Sequence, residues 1–155
     1  MSDFDDLYQE LILDHNKRPR NRRALETPPA HRALGHNPLC GDQVTIYVRT
    51  EGDRITDVAF EGKGCAISTA SASLMTEAVK GKTRAEAERL FLRFHDRVTG
   101  HPPTAAAAGE GGEDLGKLEA FAGVSEYPVR VKCATLPWHT LRAAFEDAQR
   151  PVSTE

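Results

Sequence analysis

The spacing of apolar residues changes period along the chain. Phe4, Leu7, Tyr8 and Leu11 recur at helical intervals, so Asp3 to about His15 is expected to form an amphipathic helix with acids in its first turn, ended by Pro19. From Asp42 the period drops to two. Val44, Ile46 and Val48 alternate with polar residues, Glu51-Gly52-Asp53 turns the chain, and Ile55, Val58 and Phe60 continue as a second strand, giving a β-hairpin. Helical spacing returns in Ile67, Ala70, Leu74 and Ala78, with a stop at Gly81. Thr83-Arg84-Ala85-Glu86 reads as a capping box opening a helix whose apolar face is Ala87, Leu90, Phe91, Phe94 and Val98. Leu115, Leu118 and Phe121 suggest a short helix. Trp138, Leu141, Phe145 and Ala148 form the face of a last one, with Pro137 in its first turn. The segment Leu34 to Leu39 is too short to decide whether a third strand joins the hairpin. The pattern predicts an α+β fold, a small antiparallel sheet of about three strands covered on one face by helices.

Two stretches follow neither period. Asn16 to Arg32 is rich in Arg and Pro and is expected to be a solvated connection, because no aromatic residues are interleaved with its charges and a net charge of -3 gives no support to a nucleic-acid partner. Gly100 to Gly112 is rich in Pro, Gly and Ala. It is expected to be a mobile insertion near 100–114 within a single domain spanning 1–155, since too little chain follows it to fold alone. A chain of 155 residues can bury one substantial core. No apolar run approaches the roughly 18 residues of a membrane span. The acidic start, Met1-Ser2-Asp3-Phe4-Asp5-Asp6, lacks the order of a secretory signal, and a cytoplasmic location is expected. Under reducing conditions, widely spaced thiols point to a metal or to catalysis rather than to a disulfide frame.

The candidate chemistry centres on Gly62-Lys63-Gly64-Cys65-Ala66-Ile67-Ser68, where an apolar strand breaks at glycines and delivers a cysteine to the start of a helix. Free N–H groups and the positive end of the helix dipole favour a thiolate there. Antiparallel pairing carries Cys40, just before the first hairpin strand, to the same end of the sheet as Cys65, just after the second. Asp42 is expected on the same side as Cys40, with Gly41 between them. Cys133 is expected, like Cys65, at a helix N-terminus. Three thiolates and a carboxylate fill the four positions of a tetrahedral zinc site, and an iron–sulfur cluster would also accept them. Lys63, Arg130 and Lys132 lie beside these ligands in sequence and could offset their charge. Because there is no Cys-x-x-Cys pair, buried structural cysteines stand as the alternative. His95 is assigned to packing or solvent rather than to a metal.

Asn37-Pro38-Leu39-Cys40-Gly41-Asp42, Gly62 to Ser68 with Ala70-Ser71-Ala72-Ser73-Leu74-Met75, and Val131-Lys132-Cys133-Ala134-Thr135-Leu136-Pro137-Trp138 together resemble the U-type iron–sulfur assembly proteins, the IscU and SufU proteins. Within them the chain is similar to the SufU branch. Lys132 stands where the scaffold branch has a histidine, Tyr127-Pro128-Val129-Arg130-Val131-Lys132 replaces its Leu-Pro-Pro-Val-Lys segment, and about Gly100 to Gly123 corresponds to a SufU insertion. The resemblance implies a zinc protein that accepts sulfur from a SufS-type, PLP-dependent cysteine desulfurase and relays it to a downstream iron–sulfur assembly scaffold. It implies Cys40, Asp42, Cys65 and Cys133 as zinc ligands at one exposed end of the sheet, with Cys40 as the sulfur acceptor. It also implies that a desulfurase histidine replaces Cys40 on zinc, that Arg130 serves the desulfurase encounter, and that Lys63 and Lys132 give electrostatic support. A scaffold assembling a transient [2Fe-2S] cluster on the same residues, and a structural zinc module, are the competing readings.

Overall fold

Apolar alternation folds as the expected hairpin, joined by strands that the alternation does not reveal. The computed structural model describes residues 3–26, 30–37, 41–99, 118, 120, 121, 124, 127–146 and 152–153. Its elements are α1 (Asp3–Lys17), β1 (His31–Asn37), β2 (Asp42–Glu51), β3 (Arg54–Lys63), α2 (Ala66–Val79), α3 (Arg84–Thr99), α4 (Pro128–Phe145) and β4 (Val152–Ser153). The strand order is β3-β2-β1-β4. β2 pairs antiparallel with β3 from Gln43↔Lys63 to Glu51↔Arg54, and with β1 from Asn37↔Asp42 to His31↔Val48. β4 adds a short parallel contact at Gly35↔Val152. The fold is therefore α+β, and the open question of a third strand is settled by β1.

Ala33, Val44, Ile46, Val48, Val58 and Phe60 are buried on the helix side of the sheet, where α2 and α4 lie on it. β1 approaches α4 so closely that a Cβ at Gly35 would overlap the Thr140 hydroxyl, so glycine is required there. α3 lies on α4, with the Phe94 ring stacked on Trp138 at 5.0 Å between centroids. The capping box forms as expected: Thr83 N donates to Glu86 Oε1 (3.0 Å) and Glu86 N to Thr83 Oγ1 (3.2 Å). His95 packs at the edge of Phe91 and beside His139.

Three expectations are corrected. The connection after α1 is not simply solvated: Arg20 N donates to the buried Ser73 Oγ (2.8 Å), and Asn21 Nδ2 to Thr76 Oγ1 (3.0 Å). The Asn21 carbonyl accepts from Phe60 N (3.0 Å), satisfying a donor on the free edge of β3. His15, itself buried, shares Ser73 Oγ through Nδ1 (2.7 Å), so polar groups tie α1 to α2. The last helix starts earlier than predicted, because Pro128 takes the first-turn position where its fixed φ suits a helix start. Pro137 consequently lies inside α4, where it has no N–H to give the carbonyl of Cys133 four residues back. Cys133 is thus within the helix rather than at its N-terminus. Of the predicted short helix, Leu118 and Phe121 are buried and in 3-10 turns. Leu115, Ala148 and the insertion near 100–114 lie outside the described residues. Among the described residues no helix is long and apolar enough to cross a membrane.

Candidate metal centre

At the end of β3 the backbone takes a path that only glycine permits. Gly62 has φ of 144°, and a Cβ there would overlap the Gln43 carbonyl oxygen on β2. A Cβ on Gly64 would lie 3.1 Å from Asp42 Oδ1 and 3.2 Å from Ser68 Oγ, tight contacts that these side chains would have to give way to. The chain can therefore pass directly over Asp42. Cys65 follows as the N-cap of α2, with extended φ and ψ of -70° and 170°, and its sulfur accepts from Ser68 N at 3.5 Å. Its own N–H donates to Asp42 Oδ1 at 2.9 Å. The fully buried carboxylate is thereby locked beside the helix start, with Oδ2 at 3.9 Å from Cys65 Sγ.

α4 supplies the third group. Gly35 lets α4 lie against β1, and the turn carrying Cys133 faces the β1–β2 stem, where Cys133 is fully buried. The ligand atoms of Asp42, Cys65 and Cys133 all lie within 4.8 Å of one another. Both of these cysteines are free thiols. Two sulfurs and a carboxylate at this spacing fit zinc, whose tetrahedral sites take such donors and need one more ligand. Cys40, predicted as that ligand, lies outside the described residues; in sequence it stands between Asn37 and Asp42, which pair across β1 and β2.

One participant escaped the sequence reading. Asn37, fully buried, donates from Nδ2 to Cys133 Sγ at 3.6 Å. The available signal was its place at the head of the Asn37-Pro38-Leu39-Cys40-Gly41-Asp42 motif, since an asparagine buried in a strand must find a partner for its amide.

The electrostatics agree with a thiolate at the α2 N-cap. The hydrogen bond with Cys133 pulls the Cys65 thiol down to about 6, helped by the N–H groups of Ser68 and Ile67 and opposed by burial and by the Asp42 charge. Arg130, exposed on the first turn of α4, is held more firmly protonated, chiefly by the charge of Cys65 and further by Cys133. Arg130 therefore interacts electrostatically with both sulfurs. Lys63 is exposed at the end of β3, and Lys132 is half-buried on α4. In metal-free protein, iodoacetamide labelling of Cys65 is expected to follow a titration centred near pH 6 rather than 9. A depressed thiol pKa stabilises the fold above its unfolded value and ceases to do so as pH falls through its folded value, so this contribution disappears between about pH 9 and pH 6. A labelling midpoint above pH 8, read by peptide mass spectrometry, would remove the thiolate assignment.

Comparison with known proteins gives the family of the chain. Residues 7–134 match the family described as NifU-like N terminal domain. The chain is 41% identical over 140 residues, 90% of each chain, to the zinc-dependent sulfurtransferase SufU of Bacillus subtilis (strain 168). It is 40% identical over 146 residues, 94% of this chain and 87% of the relative, to the iron–sulfur cluster assembly scaffold protein IscU of Streptococcus pyogenes serotype M1. The crystal structure of a proposed SUF-system iron–sulfur cluster assembly scaffold protein from Fervidobacterium islandicum AW-1 superposes with a TM-score of 0.75 at 38% identity, covering 87% of this chain and 93% of that one.

Proposed function

Because the chain belongs to the NifU-like N-terminal domain family of iron–sulfur assembly proteins, we propose that it acts as a SufU-type, zinc-dependent sulfurtransferase in the cytoplasm, taking persulfide sulfur from a SufS-type cysteine desulfurase and relaying it to a downstream assembly scaffold. The observation that carries this reading is the convergence of Asp42, Cys65 and Cys133 within 4.8 Å, a donor set suited to zinc. Lys132 beside Cys133 favours sulfur relay over cluster assembly, since an ammonium adds no ligand where a histidine would.

Cys40 would complete the ligand set and receive the sulfur. Its thiolate attacks the outer sulfur of the donor's persulfide; the new S–S bond forms on Cys40, and the desulfurase cysteine leaves as a thiolate. Bound zinc would hold the site's thiolates deprotonated and in place. Asp42, fixed by the Cys65 N–H, keeps one carboxylate oxygen available as a ligand when Cys40 departs. Arg130, exposed and paired electrostatically with the thiolates, presents positive charge at the rim where an acidic partner surface would dock.

The test is metal analysis of freshly purified protein, with cysteine desulfurase turnover measured in its presence and absence. The expected result is one zinc per chain and a faster desulfurase. Iron with labile sulfide and an unaltered turnover would move the assignment to the [2Fe-2S] scaffold. Zinc without any effect on turnover would leave a structural zinc module.

A further inference from the structure

We infer that Asn37 is a positioning residue for the metal centre: its side-chain amide donates to Cys133 Sγ, fixing that sulfur as the held ligand and quenching its nucleophilicity, so that sulfur chemistry is directed away from it. This rests on the metal reading above, in which Cys133 is a ligand.

Asn37 and Asp42 form the last cross-strand pair of β1 and β2. Both side chains are fully buried on the helix side of the sheet, yet they reach different helices. Asp42 accepts from the Cys65 N–H at the start of α2, whereas Asn37 donates from Nδ2 to the sulfur of Cys133 on α4, at 3.6 Å. One rung of the sheet therefore contacts both cysteines, Cys65 through its N–H and Cys133 through its sulfur. The two contacts have opposite chemical sense. Asp42 offers oxygen and can itself bind a metal, whereas the amide N–H of Asn37 can only donate to a thiolate.

A donor aimed at a metal-bound sulfur lowers the energy of its lone pairs, which weakens its attack on electrophiles and steadies its orientation. Cys65 receives backbone N–H from Ser68 but remains partly exposed, while Cys133 is fully buried. Burial and the amide together make Cys133 the quiet sulfur of the site. Any neutral side chain of the same size but without a donor should fill the space and lose this control.

Asn37→Leu meets that description and is to be compared with wild type after loading with Co(II). The expected result is full Co(II) stoichiometry, a sulfur-to-cobalt charge-transfer band moved to longer wavelength, and metal release to a chelator faster by about tenfold. A folded, fully loaded variant with an unmoved band and an unchanged release rate overturns the role of Asn37. Wild type that binds no Co(II) overturns the metal reading together with it. If Asn37→Leu does not fold, wild type loaded with an NMR-active cadmium isotope decides the matter. A through-bond correlation from cadmium to the Asn37 amide protons supports the inference, and its absence overturns it.

Discussion

In a Cys40→Ser variant, cysteine desulfurase turnover is expected to fall to the rate seen without the protein, while zinc is retained on Asp42, Cys65 and Cys133 with affinity lowered at least about 10-fold to 100-fold. The reason lies in the separation of roles. Asp42, Cys65 and Cys133 are held by the frame: Asp42 by the Cys65 N–H, Cys65 by its place as N-cap, and Cys133 by its burial within α4. Water can occupy the position left by a lost fourth ligand, so the centre survives. A serine hydroxyl is not ionised at neutral pH and cannot displace a thiolate from a persulfide, so the acceptor function does not. The decisive pair of measurements is zinc content and alanine production by the desulfurase. A Cys40→Ser protein that still accelerates the desulfurase would sink the acceptor role, and one that neither folds nor binds zinc would make the site structural.

The parts of this arrangement that could be read from sequence are those where one residue type enforces local geometry. Val44, Ile46 and Val48 impose a strand whatever surrounds them, and Gly62 and Gly64 followed by Cys65 mark a strand that breaks into a helix start. The structure puts β2, β3 and the N-cap where those residues require. β1 was illegible for the opposite reason: its inward residues are Ala33, Gly35 and Asn37, chosen for the close approach of α4 and for a contact with Cys133 rather than for hydrophobicity. The start of α4 was misplaced because Pro128 and Pro137 carry the same local signal, and only tertiary packing of Ala134 and Leu136 in the core shows which one opens the helix. The polar contacts of His15 and Asn21 with α2 were likewise beyond periodicity, since their partners Ser73 and Thr76 are distant in sequence.

Asp42→Ala and Asp42→Asn together are expected to separate the carboxylate's hold on the fold from its hold on the metal. Alanine removes the acceptor of the Cys65 N–H, and a charge-assisted hydrogen bond of this kind is worth about 1.5–3 kcal/mol, so the metal-free Asp42→Ala protein should lose stability of that order in urea melts. Asparagine keeps an oxygen at the same place and should lose less. Both variants remove the negative charge that opposes ionisation of Cys65, so in both the labelling midpoint of that thiol should move below its wild-type value of about 6. Both also lose the anionic oxygen ligand, and both should release zinc faster, by about 10-fold to 100-fold. The pattern matters more than any single value. Stability should divide the two variants while metal lability unites them, because the hydrogen bond uses Oδ1 and leaves Oδ2, 3.9 Å from Cys65 Sγ, to the metal. If zinc release is unchanged in both and only stability falls, Asp42 is a capping acceptor for the turn before α2, and the ligand set must be completed from elsewhere.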